Sequence, residues 1–232
     1  MTRRVAAYCV LTAVLIGCVN LSREDSAASV WNLSPVAATQ LDTCREAIAA
    51  NHRNDGAELD SRDIRVLNWN IQKIQNTNAL DDLNNLSTGK DLVLIQEAAL
   101  RDGLLAKARF WSFAPGYHNG AEQTGVMTMS AAAPVSRCHL TNREPWLGSP
   151  KATSITEYTL SDTDATLVVV NIHALNFTFG IKEFRTQLEQ IPAVLAGHAG
   201  PVILSGDFNT WRKRRLEILD EISGQLGLEA VD

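Results

Sequence analysis

The sequence predicts a mixed α/β fold, and three observations carry that prediction. Strand-like runs alternate with helical stripes at both ends of the chain, and a block of short β-like runs lies between them. Two of those runs are joined across Ser161-Asp162-Thr163-Asp164 as a hairpin, which is antiparallel and so excludes a purely parallel Rossmann or barrel sheet. No Gly-rich phosphate loop opens a helix. The 232 residues are 45% hydrophobic and 20% charged, an ordinary globular composition that rules out a disordered, collagenous or polytopic membrane chain. The net charge of -5 argues against holding nucleic acid by bulk positive charge, so any phosphate chemistry must be local.

Residues 1–17 carry Arg3 and Arg4, then an apolar run over 5–16 with no acidic residue, the pattern of a secretory signal too short to span a bilayer. The run ends in Leu15-Ile16-Gly17-Cys18, which resembles the bacterial lipobox, where cleavage precedes a Cys that carries diacylglycerol. The alternative is a plain signal peptide with a chance Cys. The expectation is an exported chain, lipid-anchored at Cys18 to a bacterial membrane on its periplasmic or cell-surface side. Residues 18–33, rich in Ser, Asn and Ala, form a flexible tether, and 34–232 form the domain. Cys44 and Cys138 then remain in the domain, either as one disulfide or as two separate buried thiols.

Within the domain Ser34-Pro35 reads as a helix start, with Leu41, Cys44 and Ile48 at helical spacing behind it. The span 64–70 predicts a strand, 77–86 a helix with Leu80, Leu83 and Leu86 on one face, and 91–96 a buried strand. Short strands follow at 125–130, 135–140, 152–160 and 166–171. Phe184, Leu188, Ile191 and Leu195 mark a further helix, and 201–205 a last strand.

Polar groups collect at the strand ends: Asn70, Glu97, Asn171 with His173, and Asp207 with Asn209. In sheets with crossover helices, ligands bind beyond the carboxyl ends of the strands. Each residue alone has a plainer reading: Asn70 or Asn209 shaping a turn, Glu97 capping a helix that starts at Ala98, His173 as a core histidine. Together, Glu97, Asp207, Asn70 and Asn209 make an all-oxygen set, hard enough for Mg²⁺, Mn²⁺ or Ca²⁺ and poor for zinc. Such a set suits phosphoester hydrolysis, with a carboxylate or His activating water.

Asn68-Trp69-Asn70-Ile71-Gln72, Gln96-Glu97, Gly125-Val126-Met127-Thr128-Met129-Ser130, Asn171-Ile172-His173 and Ser205-Gly206-Asp207-Phe208-Asn209 resemble, in order, the motifs of the endonuclease/exonuclease/phosphatase superfamily, the DNase I-like hydrolases. The resemblance runs over about residues 64–211. It implies a four-layer sandwich of two packed mixed β-sheets flanked by helices. It also implies that Asn70 and Glu97 hold the cation, His173 contacts the scissile phosphate, Asp207 orients or deprotonates water, and Asn209 binds phosphoryl oxygens, with Asn171 beside them. Glu144-Pro145-Trp146 and Pro150-Lys151 look like an exported bacterial branch of the same family.

The family pattern continues with another strand and a Ser-Asp-His motif, whereas this chain stops at Asp232, 23 residues after Asn209. The expectation is a domain lacking its C-terminal strand or strands. The first functional expectation is a divalent-cation-dependent, nuclease-like phosphodiesterase. The alternatives are a lipid phosphodiesterase or phosphatase, or a truncated or catalytically dead lipoprotein serving as a binding or structural module. Aromatic residues for stacking bases do not cluster near the motifs in sequence, so nucleic acid gains only modest preference as a partner. Arg212, Lys213, Arg214 and Arg215 either steer a phosphate substrate or form a solvated face paired with Glu217, Asp220 and Glu221. No protein partner can be inferred.

Overall fold

A computed structural model of the chain describes residues 37–49, 56–118, 120 and 122–231. The secretory signal, Cys18, the tether and the Ser34-Pro35 helix start lie outside the described residues. The elements run α1 (Ala37–Ala49), β1 (Val66–Asn70), α2 (Ala79–Ser87), β2 (Leu92–Ala99), α3 (Asp102–Leu105), β3 (Phe110–His118), β4 (Gln123–Ser130), β5 (Ser136–Arg143), β6 (Pro150–Thr159), β7 (Thr166–His173), α4 (Lys182–Leu195), β8 (Val202–Asp207) and α5 (Lys213–Gln225).

The strands form two four-stranded sheets, ordered β1-β2-β4-β3 and β5-β6-β7-β8. Each is mixed: β1 runs parallel to β2 and β7 parallel to β8, while the remaining pairs are antiparallel. Both faces of each sheet are covered, which is why β7 (Thr-Leu-Val-Val-Val-Asn-Ile-His) is buried at every position instead of alternating. Leu167 and Val169 pack inward against Leu92 and Leu94 of the other sheet. Val168, Val170 and Ile172 pack outward under α1, α4 and α5, through Cys44, Ile48, Phe184, Leu188, Ile218 and Ile222. On the far side α2 and α3 cover the first sheet through Ala79, Leu83 and Leu104, against Val93, Ile95 and Phe113. The result is the four-layer sandwich of two mixed sheets flanked by helices.

Cys44 of α1 and Cys138 of β5 are joined as a disulfide, which ties the first helix to the edge strand of the second sheet. Among the described residues no helix is long and apolar enough to cross a membrane.

Two elements depart from expectation for physical reasons. The strands expected from the sequence include none over 110–118, a run that contains Pro115, which lacks an N–H. In the fold β3 is an edge strand, where that missing donor is tolerated, and its register shifts between Pro115 and His118. No helix starts at Ala98: β2 continues to Ala99, with an irregularity between Ile95 and Ala98.

Candidate functional site

Four strands deliver the polar residues to one rim. Asn70 closes β1, His173 closes β7 and Asp207 closes β8, with His173 and Asp207 directly paired in the β7–β8 register. That pairing depends on Gly206, whose φ of +146° and close approach leave no room for a side chain. A Cβ there would stand 2.0 Å from the Ile172 carbonyl oxygen. Glu97 arrives differently. It is the extra residue of a β-bulge, with φ +51°, a conformation a non-glycine residue adopts only when its surroundings hold it there. The bulge turns its carboxylate toward the pocket.

The groups converge on His173. Glu97 Oε1 and Asp207 Oδ2 are each 3.8 Å from its Nε2, and Lys151 Nζ of β6 is 3.0 Å from the same atom. Asn70 Nδ2 donates to Asp207 Oδ2 at 2.8 Å, and the Asn209 backbone N–H donates to Asp207 Oδ1 at 3.1 Å, so both oxygens of that carboxylate are oriented. Asn209 has φ +51°, and its Nδ2 donates to the Ala174 carbonyl at 2.9 Å. Burial, reinforced by the Lys151 cation, lowers the His173 pKa to about 4 against the opposing pull of Asp207, Glu97 and Glu144, so the imidazole is neutral at pH 7. A neutral ring accepts the Lys151 hydrogen bond at Nε2. Burial also pulls the Lys151 pKa down, with Glu144, Glu97 and Asp207 opposing it.

Glu97, Lys151 and His173 line a pocket of about 530 Å³ that also takes in Lys73. Lys73 is the centre of a left-handed turn in which Gln72, Lys73 and Ile74 have φ of 50°, 59° and 56°. Such a turn costs about 1–2 kcal/mol per residue, and most for a β-branched Ile.

Asn171 belongs to the foundation and not to the phosphate-contacting set. It is fully buried, accepts from Gln96 Nε2 at 2.6 Å and donates to the Met127 carbonyl at 3.0 Å. Gln96 Nε2 also donates to Asn68 Oδ1 at 2.8 Å, so the chain Asn68–Gln96–Asn171 stitches the two sheets together directly behind the site. Its side chain points between the sheets because Asn171 alternates in phase with the inward Leu167 and Val169.

Sequence reasoning missed or misplaced three features. Glu144 is nearly buried; it accepts from Ser149 Oγ and from the N–H groups of Asn176 and Phe177. Burial raises its pKa, yet those hydrogen bonds outweigh burial and hold it below the usual carboxylate range. Arg215 is neither a steering cation nor part of a solvated face. It is 1% exposed and donates to the carbonyls of Leu175, Asn176 and Asn209 and to Thr178 Oγ1. The rest of that basic run is surface: Lys213 pairs with Glu217 at 3.6 Å, while Glu221 pairs with Arg185 of α4. Finally, aromatic residues that are scattered in sequence do gather in space: Tyr117 and Phe177 line the pocket, and Trp211 Nε1 donates to Asn176 at its wall.

A hard cation fits this site by donor chemistry. Among the described residues no group of three or more His, Cys, Asp and Glu side chains is arranged to hold a metal. The donors at hand are the partly exposed Glu97 carboxylate and an amide oxygen, Asn70 Oδ1, with the Asp207 carboxylate beside them. Mg²⁺ characteristically takes one or two carboxylates and completes its shell with water and substrate phosphate, which matches that sparse oxygen set.

A UPF0294 protein of Vibrio vulnificus strain YJ016 is 38% identical over 173 residues, covering 71% of this chain and 59% of that protein. The chain thus spans about 59% of the length of that relative. Two solved structures share the fold. The human Nocturnin catalytic domain with bound sulfate has 18% identity and a TM-score of 0.52, over 73% of this chain and 72% of that one. An endonuclease/exonuclease/phosphatase family protein from Bacteroides thetaiotaomicron has 15% identity and a TM-score of 0.51, over 72% and 70%. The family model described as "Endonuclease/Exonuclease/phosphatase family" matches residues 67–225, from the first core strand to the end of α5, and the chain belongs to that family.

Proposed function

We propose that the site hydrolyses a phosphoester with the help of a divalent cation held by Glu97 and Asn70. The observation that carries this reading is the convergence of Glu97, Asp207 and Lys151 on one neutral histidine at the floor of an open pocket. All three activities in the family's name break a phosphorus–oxygen ester bond. When bound, Mg²⁺ or a related cation would supply positive charge to the phosphoryl oxygens. Asp207 is the base: with Oδ2 fixed by Asn70 and Oδ1 by Asn209, it takes the proton of the attacking water. Lys151 and Lys73 bring cationic charge into the pocket, where the phosphoryl group gains negative charge in the transition state. His173 and Asn209 contact the phosphate. Lys151 orients the His173 ring.

The test is turnover of plasmid DNA, a generic phosphodiester, a phosphomonoester and a phospholipid by the purified chain, with and without chelator. Chelator abolishes turnover, and Glu97→Gln and Asp207→Asn each lower kcat by about 10²–10³-fold, as removal of a charge-stabilising or proton-transferring group does elsewhere. Turnover that survives chelator and both substitutions overturns the reading. The nuclease-type expectation is the plasmid arm of the same assay.

A further inference from the structure

Among the described residues nine large hydrophobic side chains are exposed, and six of them, Tyr117, Trp146, Leu147, Phe177, Phe179 and Trp211, surround the pocket mouth. Tyr117, Leu147 and Phe177 line the pocket, Trp146 packs on Phe179 with ring centroids 4.0 Å apart, and Trp211 is bonded to Asn176 of the pocket wall. Singly scattered apolar residues need no account, whereas six in or beside one pocket do. The loop that carries Phe177 and Phe179 is also built, not slack. Glu144 holds the N–H groups of Asn176 and Phe177 from one side, and Arg215 holds the carbonyls of Leu175 and Asn176 and the Thr178 hydroxyl from the other. Burying two charges is costly, and here the cost is spent on holding exposed aromatic rings in place.

We propose that this rim is a docking surface for an anionic phospholipid bilayer, with the aromatic and Leu side chains entering the headgroup region and the pocket opening onto the lipid headgroups. Charge complementarity selects this occupant. The chain is net negative at -5, yet the rim ends at Trp211 in the exposed cations Arg212, Lys213 and Arg214. Trp, Phe and Leu beside Arg and Lys form the composition of an interfacial surface, in which amphipathic rings sit at headgroup level and cations meet lipid phosphates. Single-stranded nucleic acid fits less well, because base stacking needs open ring faces. Trp146 and Phe179 turn faces toward each other, and the Arg212 and Arg215 guanidiniums lie 4.3 and 5.0 Å from the Trp211 ring centre. Docking goes beyond the proposed hydrolysis and does not depend on it.

The experiment is quenching of tryptophan fluorescence by vesicles of phosphatidylglycerol with brominated acyl chains, in chelator, so that turnover plays no part. The full chain is used with Trp31→Phe, which leaves Trp69, Trp111, Trp146 and Trp211 as reporters. Docking predicts quenching that disappears in Trp146→Ser/Trp211→Ser, a pair chosen because both rings are exposed, with circular dichroism as the check that the fold is kept. Reversing charge with Arg212→Glu/Arg214→Glu weakens the phosphatidylglycerol affinity by about tenfold or more, and phosphatidylcholine vesicles bind correspondingly less. Vesicle association through the N-terminal apolar run alone would leave Trp146 and Trp211 unquenched and overturns the proposal. So does quenching unchanged by the double Ser variant, or an oligonucleotide that quenches these reporters when vesicles do not. Docking without turnover in the hydrolysis assay overturns only the proposed function.

Discussion

Breaking the Cys44–Cys138 disulfide should cost the domain much of its stability. The two residues are 94 apart in sequence, and cross-linking a loop of that length removes unfolded-state entropy worth about 4–5 kcal/mol at 25 °C in the chain-entropy treatment. Measured losses for native disulfides fall at about 2–5 kcal/mol, which is a large share of the 5–15 kcal/mol that holds a typical domain together. Both residues are buried, 1% and 6% exposed, so Ala at each position also forfeits packing around α1. The assay is urea unfolding followed by far-UV circular dichroism for the parent, the parent with reductant, and Cys44→Ala/Cys138→Ala. Reductant should lower the parent's midpoint toward that of the double variant, and the variant should not respond to reductant. If parent and variant differ by less than about 1 kcal/mol, or if both cysteines are alkylated in denatured, unreduced protein, the reasoning is wrong.

Arg215→Met keeps the side chain's volume but leaves the carbonyls of Leu175, Asn176 and Asn209 without their buried donor; the expected loss is about 3–5 kcal/mol by urea unfolding, with Arg215→Lys intermediate. Asn171→Leu removes the acceptor of one of the two Gln96 Nε2 hydrogen bonds and the side-chain donor to the Met127 carbonyl between the sheets, so stability should fall by about 1–3 kcal/mol while the pocket-facing residues stay in place by crystallography. Gly206→Ala forces β8 away from β7 at the Ile172 carbonyl, and thermal melts should show a loss of about 3 kcal/mol or more, greater than at Gly224, where an added Cβ meets nothing.

Much of this architecture is written in local pattern. The strand ending at Asn70, the helix with Leu80 and Leu83, and the strand ending at Asp207 are each a few residues of apolar periodicity closed by a polar group, and the fold places them where the pattern does. What was hidden depends on long-range partners. β3 carries Pro115, which a strand tolerates at a sheet edge, and whether a strand is an edge is decided only when the sheet assembles. Arg215 reads as one cation in a basic run; its burial follows from the loop at Leu175–Thr178, some 40 residues earlier, folding over it. Asn171 carries a site-like motif position, yet alternation along β7 sends it between the sheets. The aromatic rim draws on separate segments around residues 117, 146, 177 and 211, which no window of sequence brings together.

The bulge at Glu97 has a genetic corollary. Before it, β2 pairs with β4 in one continuous register from Leu92↔Ser130 to Ile95↔Met127; after it, Ala98↔Gly125 and Ala99↔Thr124 are out of step by a single residue. Removing codon 97 would therefore mend the ladder: Ala98 and Ala99 would fall into the register that precedes them. An in-frame deletion of one residue would leave a regular strand and a site without the Glu97 carboxylate. The carboxylate proposed to hold the cation is thus the one residue of β2 that the sheet itself could do without.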